Sequence, residues 1–469
     1  MKAFWAIVKL TCRSALRSHI FQLLLLLLLF CIAVIPATVS GDGTAAGFIR
    51  VALQYSLGTV SAVLSLSSIW LGCFTMTQDV ENYQLHMVVS KPVSRYKIWV
   101  AKWFGVLSIH VVLLLIAALA TYGTILFRIN KHDFQPGEQE KIQNEVLVGR
   151  RVFLPEPINI EGFAQKHLEE NIKQWEAEGT PYDNTPAGRE KLLESYREMA
   201  RISQTELKHG ERRLWVYRNL PADLTGNVSF RYRFFIAEVD SNKQRFSDAM
   251  WLIGVPQVQE VDSQGNRPPT RFNLMPISEM PEKVLAGDFG ELSIPAENIS
   301  PEGSAMMGFV NLDTNQENMY FQISDGPKLL LPVTSFPANY ARAIFVIVLM
   351  LMVLTALACA AGGVFSMPMA IFFVSGYLLF GIFAKMMLAA EFIDTMQETI
   401  GLYIGYAVNF FIVPVQGFQV SGLVANGELI EFSLIGSLIF YYLICRALPL
   451  ILLGIWLYRR RELGLVVRK

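Results

Sequence analysis

Apolar residues crowd into two blocks, residues 20–127 and 340–457, and leave between them a stretch of ordinary mixed composition. A helix needs about 20 mainly apolar residues to cross roughly 30 Å of hydrocarbon. Five runs meet that requirement, at residues 20–39, 53–76, 103–127, 340–364 and 434–457. A sixth, 367–388, carries only Lys385 near its end, where a long side chain reaches the interface. The run 400–424 is apolar too, but Asn409, Pro414, Gln416, Gly417, Gln419 and Gly422 interrupt it. It reads as a re-entrant or interfacial element. The leader before the first span has Phe4, Trp5, Val8 and Cys12 at helical spacing with Lys9, Arg13 and Arg17 elsewhere, which predicts an amphipathic interfacial helix. The apolar run after it exceeds the roughly 7–15 residues of a signal-peptide core.

The middle changes period. Leu168, Ile172 and Trp175, then Leu192, Tyr196, Met199 and Leu207, recur at helical spacing, with Pro181 and Gly188 as punctuation. From about residue 213 the period becomes two. Val228, Phe230, Tyr232, Phe234 and Ile236 alternate with Ser229, Arg231, Arg233 and Phe235, and shorter strand-like runs lie at 214–217, 251–255, 291–294, 307–312 and 319–323. Many short strands between Gly/Pro/Asn/Asp/Ser turns predict an antiparallel sandwich or jelly roll.

Charge orients the chain. Residues 1–19 carry net +4, 77–102 net +2 and 458–469 net +4, whereas 128–339 carries −8 and 389–432 carries −5. Basic residues beside span ends stay in the cytoplasm. Six spans put every basic segment on that side; a seventh would send Arg459, Arg460 and Arg461 outside. The expected fold class is therefore an α-helical polytopic membrane protein of six spans, three and three. It carries an α+β, mainly β-sandwich-like, extracytoplasmic domain at 128–339, helical over 160–210 and β-rich over 211–335. Residues 1–127 hold the leader and three spans; residues 340–469 hold three more, with a re-entrant outer segment at 391–432 and a basic tail.

Composition agrees. Hydrophobic residues make up 52% and charged residues 17%, against a globular norm of roughly 25% charged. The mean hydropathy of +0.37, together with the crowding of apolar residues into two blocks, excludes a purely soluble enzyme, a disordered chain and a nucleic-acid reader. All five cysteines lie in spans or the leader, so the middle domain has no disulfide staple. The sequence has no GxxxxGK[ST] loop, HExxH or GxSxG, and its six histidines form no metal-ligand pair. His110, inside the third span, suits a hydrogen-bonded helix–helix contact better than a proton relay. Arg446, inside the last span, either snorkels or pairs within the bundle.

One segment carries more specific information. Between the second and third spans the chain reads Gln78-Asp79-Val80-Glu81-Asn82-Tyr83, then Val88-Val89-Ser90-Lys91-Pro92-Val93-Ser94-Arg95, then Lys97-Ile98-Trp99-Val100-Ala101-Lys102. Pro92 turns the chain and Ser94 can cap a helix starting near Arg95. An acid at a span end, a Ser-Lys-Pro-Val-Ser-Arg turn and a Lys leading into the next span resemble the type-2 ABC transporter permease family. Tyr83-Gln84 stands where that family often has a small, Gly-containing stretch. The tight Gly362-Gly363-Val364-Phe365-Ser366-Met367-Pro368 turn, the re-entrant outer segment and the Arg-Arg-Arg-Glu tail are similar to that family as well.

The resemblance covers about 260 residues outside the middle domain. It implies a non-catalytic permease subunit of an exporter, in a bacterial inner membrane with both termini cytoplasmic. The coupling segment 77–102 would dock on separate ATPase subunits through Glu81, Lys91, Pro92, Ser94 and Arg95. ATP and Mg would sit on those subunits, and none on this chain. A second permease copy or homologue and membrane lipids are the other expected partners, with no nucleic acid. The alternative is a membrane-anchored extracytoplasmic binding or mechanotransmission protein that moves no substrate.

Overall fold

The computed structural model describes residues 2–38, 45–81, 93–131, 137–157, 159–221, 224, 226–236, 246–257, 271–322, 325–389 and 396–460. In chain order its helices are α1 (Lys2–Arg17), α2 (His19–Thr38), α3 (Ala45–Glu81), α4 (Arg95–Lys131), α5 (Glu138–Lys141), α6 (Ile160–Glu178) and α7 (Pro186–Thr205). They continue with α8 (Phe336–Val364), α9 (Met367–Ala389), α10 (Met396–Phe411), α11 (Ser421–Ala425), α12 (Phe432–Ser437) and α13 (Leu448–Arg460). The chain divides into two compact units, Met1–Gly149 with Val333–Lys469, and Arg150–Pro332.

The first unit is a helical membrane bundle. Among the described residues, five helices are long and apolar enough to cross a membrane: α3, α4, α8, α9 and the continuous helix Phe432–Arg460. Two bent pairs pass the same test together, α1 with α2 at 73° and the 403–425 stretch at 60°. The candidate spans therefore number five to seven, and the expected six lies inside that range. The bend within 403–425 falls at Pro414 and a short 3₁₀ turn, Val415–Phe418, where the sequence loses its apolar continuity. The last helix has a different irregularity. Pro449 brings no N–H to the ladder, and the ten residues Leu438–Ala447 before it bond at π spacing, with the Leu448 N–H reaching the Leu443 carbonyl.

Helix α8 is the centre of the bundle, with 83% of its most apolar window buried. It and α3 approach so closely that small residues are obligatory at the crossing. A Cβ at Gly72 would lie 2.6 Å from Ala358 Cβ, and one at Gly362 would lie 2.8 Å from the Cys73 carbonyl oxygen. The leader α1 buries Val8, Thr11 and Ala15 and leaves Lys2, Lys9, Arg13 and Arg17 exposed; of the predicted apolar face, Val8 is buried, Phe4 and Cys12 are half-buried and Trp5 is exposed. Its apolar face lies on α4, where Cys12 Sγ donates to the Gly105 carbonyl at 3.6 Å.

At the α3 and α8 N-terminal ends a loop is tied down by polar groups. Asn339, fully buried, donates through Nδ2 to the Glu428 carbonyl and accepts the Ile430 N–H, both at 2.8 Å. Arg342 donates to the Ile430 carbonyl at 3.1 Å and lies over the Phe432 ring. Gly427, at φ +65, is required there: a Cβ would meet the Glu145 carbonyl oxygen at 2.2 Å.

The second unit holds α6, α7 and most of the β-structure. Its strands are β1 (Val148–Phe153), β2 (Glu206–Leu207), β3 (Arg212–Tyr217), β4 (Asn227–Tyr232), β5 (Phe235–Ile236) and β6 (Phe246–Gln257). They are followed by β7 (Arg271–Pro276), β8 (Glu282–Leu285), β9 (Gly290–Pro295), β10 (Ala305–Asn311), β11 (Met319–Tyr320) and β12 (Lys328–Ser335). Three sheets form, in orders β1-β12-β4-β9, β3-β10-β6-β7 with β8 beside β6, and β2-β11-β5. The paired strands β4–β9 and β10–β6 are antiparallel, as the turn-rich sequence predicts. All three sheets contribute to one aromatic core, in which Trp251 lies 5.1 Å from Phe230 and 4.6 Å from Phe309.

Three details depart from the sequence pattern. Leu207, expected to continue the second helix, lies in β2, because α7 ends at Thr205. The expected single strand over 228–236 is two, β4 and β5, in different sheets. Alternation survives the break, because Val228, Phe230, Tyr232, Phe234 and Ile236 are all buried. The helical pair is bounded by Gly179, left-handed after α6, and by Pro186 at the first turn of α7. Gly188 lies inside α7, where its N–H caps onto Thr185 Oγ1 at 3.1 Å and a Cβ would strike Asp183.

Candidate functional site

The candidate site starts where α3 ends and α4 begins. Glu81 is the last residue of α3, with its side chain outside the described set, and Lys91 and Pro92 lie outside the described residues. Ser94 and Arg95 are described. The Ser94 carbonyl accepts the Lys97 and Ile98 N–H groups at 3.0 and 3.3 Å, so α4 opens one residue after Ser94, as a capping role requires. Ser94 itself is exposed and Arg95 is half-buried.

Arg95 Nη1 donates to the Arg459 carbonyl at 2.9 Å, joining the first turn of α4 to the last turn of α13. A guanidinium donating to a helix's terminal carbonyl satisfies an acceptor left open there and opposes the negative end of the dipole. Two turns further along α4, Lys102 is buried and its Nζ donates to the Thr75 carbonyl of α3 at 2.7 Å. Trp103 Nε1 donates to Thr355 Oγ1 of α8 at 3.1 Å. Trp99 stacks on Trp103 and buries itself with Met76, Ala356, Cys359, Ala360 and Tyr458.

Three helices, α3, α8 and α13, therefore meet the base of α4, and each is fixed to it by a polar bond, an aromatic contact or both. The first turns of α4 are thus bonded to α13 through Arg95 and to α3 and α8 through Lys102 and Trp103. Ser94 and Arg95 are sequence-predicted site residues; Trp99 and Lys102 stand in the quoted segment without a role of their own, and Trp103 and Thr355 join them only through the fold. A signal was available: Trp99, Lys102 and Trp103 cluster on one helical face at the start of an apolar run, the composition of a membrane interface.

Deeper in the bundle, His110 bonds through Nδ1 to the Val106 carbonyl at 2.8 Å and through Nε2 to Ser67 Oγ of α3 at 3.0 Å. Both ring nitrogens are engaged in a helix–helix contact. Arg446 pairs within the bundle, donating to the Ile412 carbonyl at 3.2 Å. Among the described residues, no group of three or more His, Cys, Asp or Glu side chains lies close enough together to hold a metal ion.

The second unit has its own concentrated electrostatics. Glu291 of β9 accepts from Arg150 of β1 at 2.7 and 3.1 Å and from Arg231, its directly opposed neighbour on β4, at 2.7 Å. Both guanidiniums are almost fully buried. Burial by itself would favour the neutral acid, but the two adjacent arginines outweigh it and hold the Glu291 carboxyl below the usual glutamate range. This is a structural clasp across one sheet, with no cavity against it among those described. Compared with family models, curated proteins and solved structures, the chain finds no match in any of the three.

Proposed function

We propose that this chain is the non-catalytic permease subunit of an ATP-binding-cassette exporter. In this reading it crosses a bacterial inner membrane six times, with both termini in the cytoplasm and the β-rich unit outside. It pairs with a second permease copy or homologue, and separate ATPase subunits holding ATP and Mg supply the energy. The observation that carries the reading is the stretch from Gln78 to Lys102. Its Ser-Lys-Pro-Val-Ser-Arg turn resembles a coupling helix and feeds at once into a helix tied at its base to three others.

The physics suits the role. Lys91, Arg95 and Lys97 offer positive charge to an acidic groove, and Glu81 offers a carboxylate to a base on the partner. Closure of the ATPases would push the turn, and the bonded base of α4 would carry that push into α3, α8 and α13. A second reading is a membrane-anchored binding or force-transmitting protein. It draws on Arg150–Pro332, a unit with its own aromatic core that is larger than a simple pore requires.

The double variant Pro92→Ala with Arg95→Ala tests the coupling assignment. Partner-stimulated ATP hydrolysis is expected to fall at least about tenfold, equivalent to about 1.4 kcal/mol. Membrane insertion and the elution profile should stay as in the parent. Stimulation equal to that of the parent would sink the assignment.

A further inference from the structure

One cavity in the bundle differs from its neighbours. Two pockets beside α13 are lined almost wholly by aliphatic and aromatic side chains, as lipid-facing crevices are. The third, of about 540 Å³, lies between α3, α8 and the Val415–Phe418 turn with the start of α11. Its lining contains no charged residue, yet it gathers Gln54, Tyr55, Ser61, Ser65, Gln419 and Ser421. On α3, positions 54, 58, 61 and 65 form one stripe at helical spacing, and a Cβ added at Gly58 would lie 3.7 Å from Ser421 Oγ.

The hydroxyls have an ordinary explanation. Ser65 Oγ donates to the Ser61 carbonyl at 2.7 Å, and both serines rest against Met350 Sδ of α8. A serine on a membrane helix satisfies itself in this way. The two carboxamides do not. Gln54 and Gln419 are exposed to the cavity side of their elements, and among the described residues neither side chain has a hydrogen-bond partner. Each brings two donors and an acceptor that lipid tails cannot satisfy.

The cavity is also graded along the bundle. Helix α3 has 37 residues and is about 55 Å long, against roughly 30 Å of hydrocarbon. Gln54 lies toward its N-terminal end, near the level of an interface, whereas Ser61 and Ser65 bracket its midpoint. Met350 stands opposite them, and Ile347 and Phe418 line the same cavity. The site thus combines neutral hydrogen-bonding groups with apolar wall.

We propose that this cavity binds an amphiphile whose head group is uncharged and hydrogen-bonding, such as a sugar, polyol or amide, with its alkyl chain against Ile347 and Met350. Gln54 and Gln419 grip the head. The absence of any charged side chain in the lining selects against a phosphate, carboxylate or ammonium head, whose charge would be desolvated there without a counter-ion. The inference deepens the permease reading by naming a substrate class, and it rests on that reading for the step from bound to moved.

The test places the full chain in phosphatidylcholine nanodiscs with a diazirine-bearing alkyl glucoside, and with a diazirine-bearing alkyl phosphate of the same chain length. After irradiation, the adducts are mapped by peptide mass spectrometry. The glucoside is expected to label residues 54–65 and 415–421, with competition by unlabelled alkyl glucoside and none by alkyl phosphate. Gln54→Leu with Gln419→Leu, which makes the span more apolar, should cut that labelling about tenfold through loss of two hydrogen-bonding groups. Gln419→Leu alone serves if the double variant elutes as aggregate, with a smaller drop expected. Equal labelling by the phosphate probe, labelling unchanged by the variants, or no adduct at these segments would each overturn the proposal. No ATPase is present in this experiment, so its failure and the failure of the coupling assignment are separate results.

Discussion

Glu291→Gln is expected to cost the β-rich unit about 3 kcal/mol or more, because it leaves two buried guanidiniums facing each other without their shared carboxylate. The exchange keeps the side-chain shape, so the effect isolates charge. Hydrogen exchange on the full chain in detergent should show β1, β4 and β9 opening together. The pH dependence has a definite sign. The folded value of Glu291 is depressed, so its contribution is complete above the unfolded glutamate value, ~4.3, and is lost as pH falls through the folded value. The parent should lose stability over that acid window, whereas the Gln variant should lose less. Equal protection in parent and variant at neutral pH would show that the clasp contributes nothing net, as some buried ion triads do.

Gly362→Val has the second large expected effect. The added Cβ would lie within 3 Å of the Cys73 backbone, where no flexible side-chain end can move aside. Helices α3 and α8 would have to part along the crossing that also packs Gly72 on Ala358. Overpacking of this kind costs about 1–3 kcal/mol and more where backbone meets backbone. A thermal melt followed by size-exclusion elution should show a lower midpoint and a reduced monodisperse peak. Gly376→Val is the matched control, since nothing lies within 4 Å of a Cβ there. Identical melts for the two variants would remove the close crossing from the account.

The same two examples show what a sequence can and cannot display. The membrane bundle was legible because a span is a local property: 20 apolar residues in a row need no knowledge of their neighbours. The strand alternation from Val228 to Ile236 was legible for the same reason, and the burial of all five inward residues followed it. The break between β4 and β5 was not, since Arg233 and Phe234 carry the alternation through the change of sheet. Strand β12 was hidden differently. Leu329, Leu330 and Leu331 are all buried, so the run shows no period of two, and it abuts the apolar α8. The Arg150–Glu291 clasp joins residues 141 apart, which only strand order brings together.

At the candidate coupling site the division is similar. Ser94 was readable as the residue before a helix start, because a helix start involves only the next four residues. Arg95 was readable as a charge, but its bond to the Arg459 carbonyl required the last helix to return beside α4. Lys102 looked like one more positive charge holding a loop on its side of the membrane. In the fold it is a buried donor to the Thr75 carbonyl of α3, a partner that no neighbouring residue in sequence reveals.

The permease reading is tested most directly by what the chain holds on to. The tagged protein, extracted in mild detergent from its own membrane, is isolated and the eluate examined by mass spectrometry and an ATPase assay. The account predicts a co-purifying ATP-binding-cassette ATPase with measurable turnover, lost when Lys91, Pro92 and Arg95 are replaced together while the chain still elutes as a folded species. A well-folded preparation with no ATPase, or an ATPase that stays bound to the triple variant, would contradict it and shift the weight to the β-rich unit.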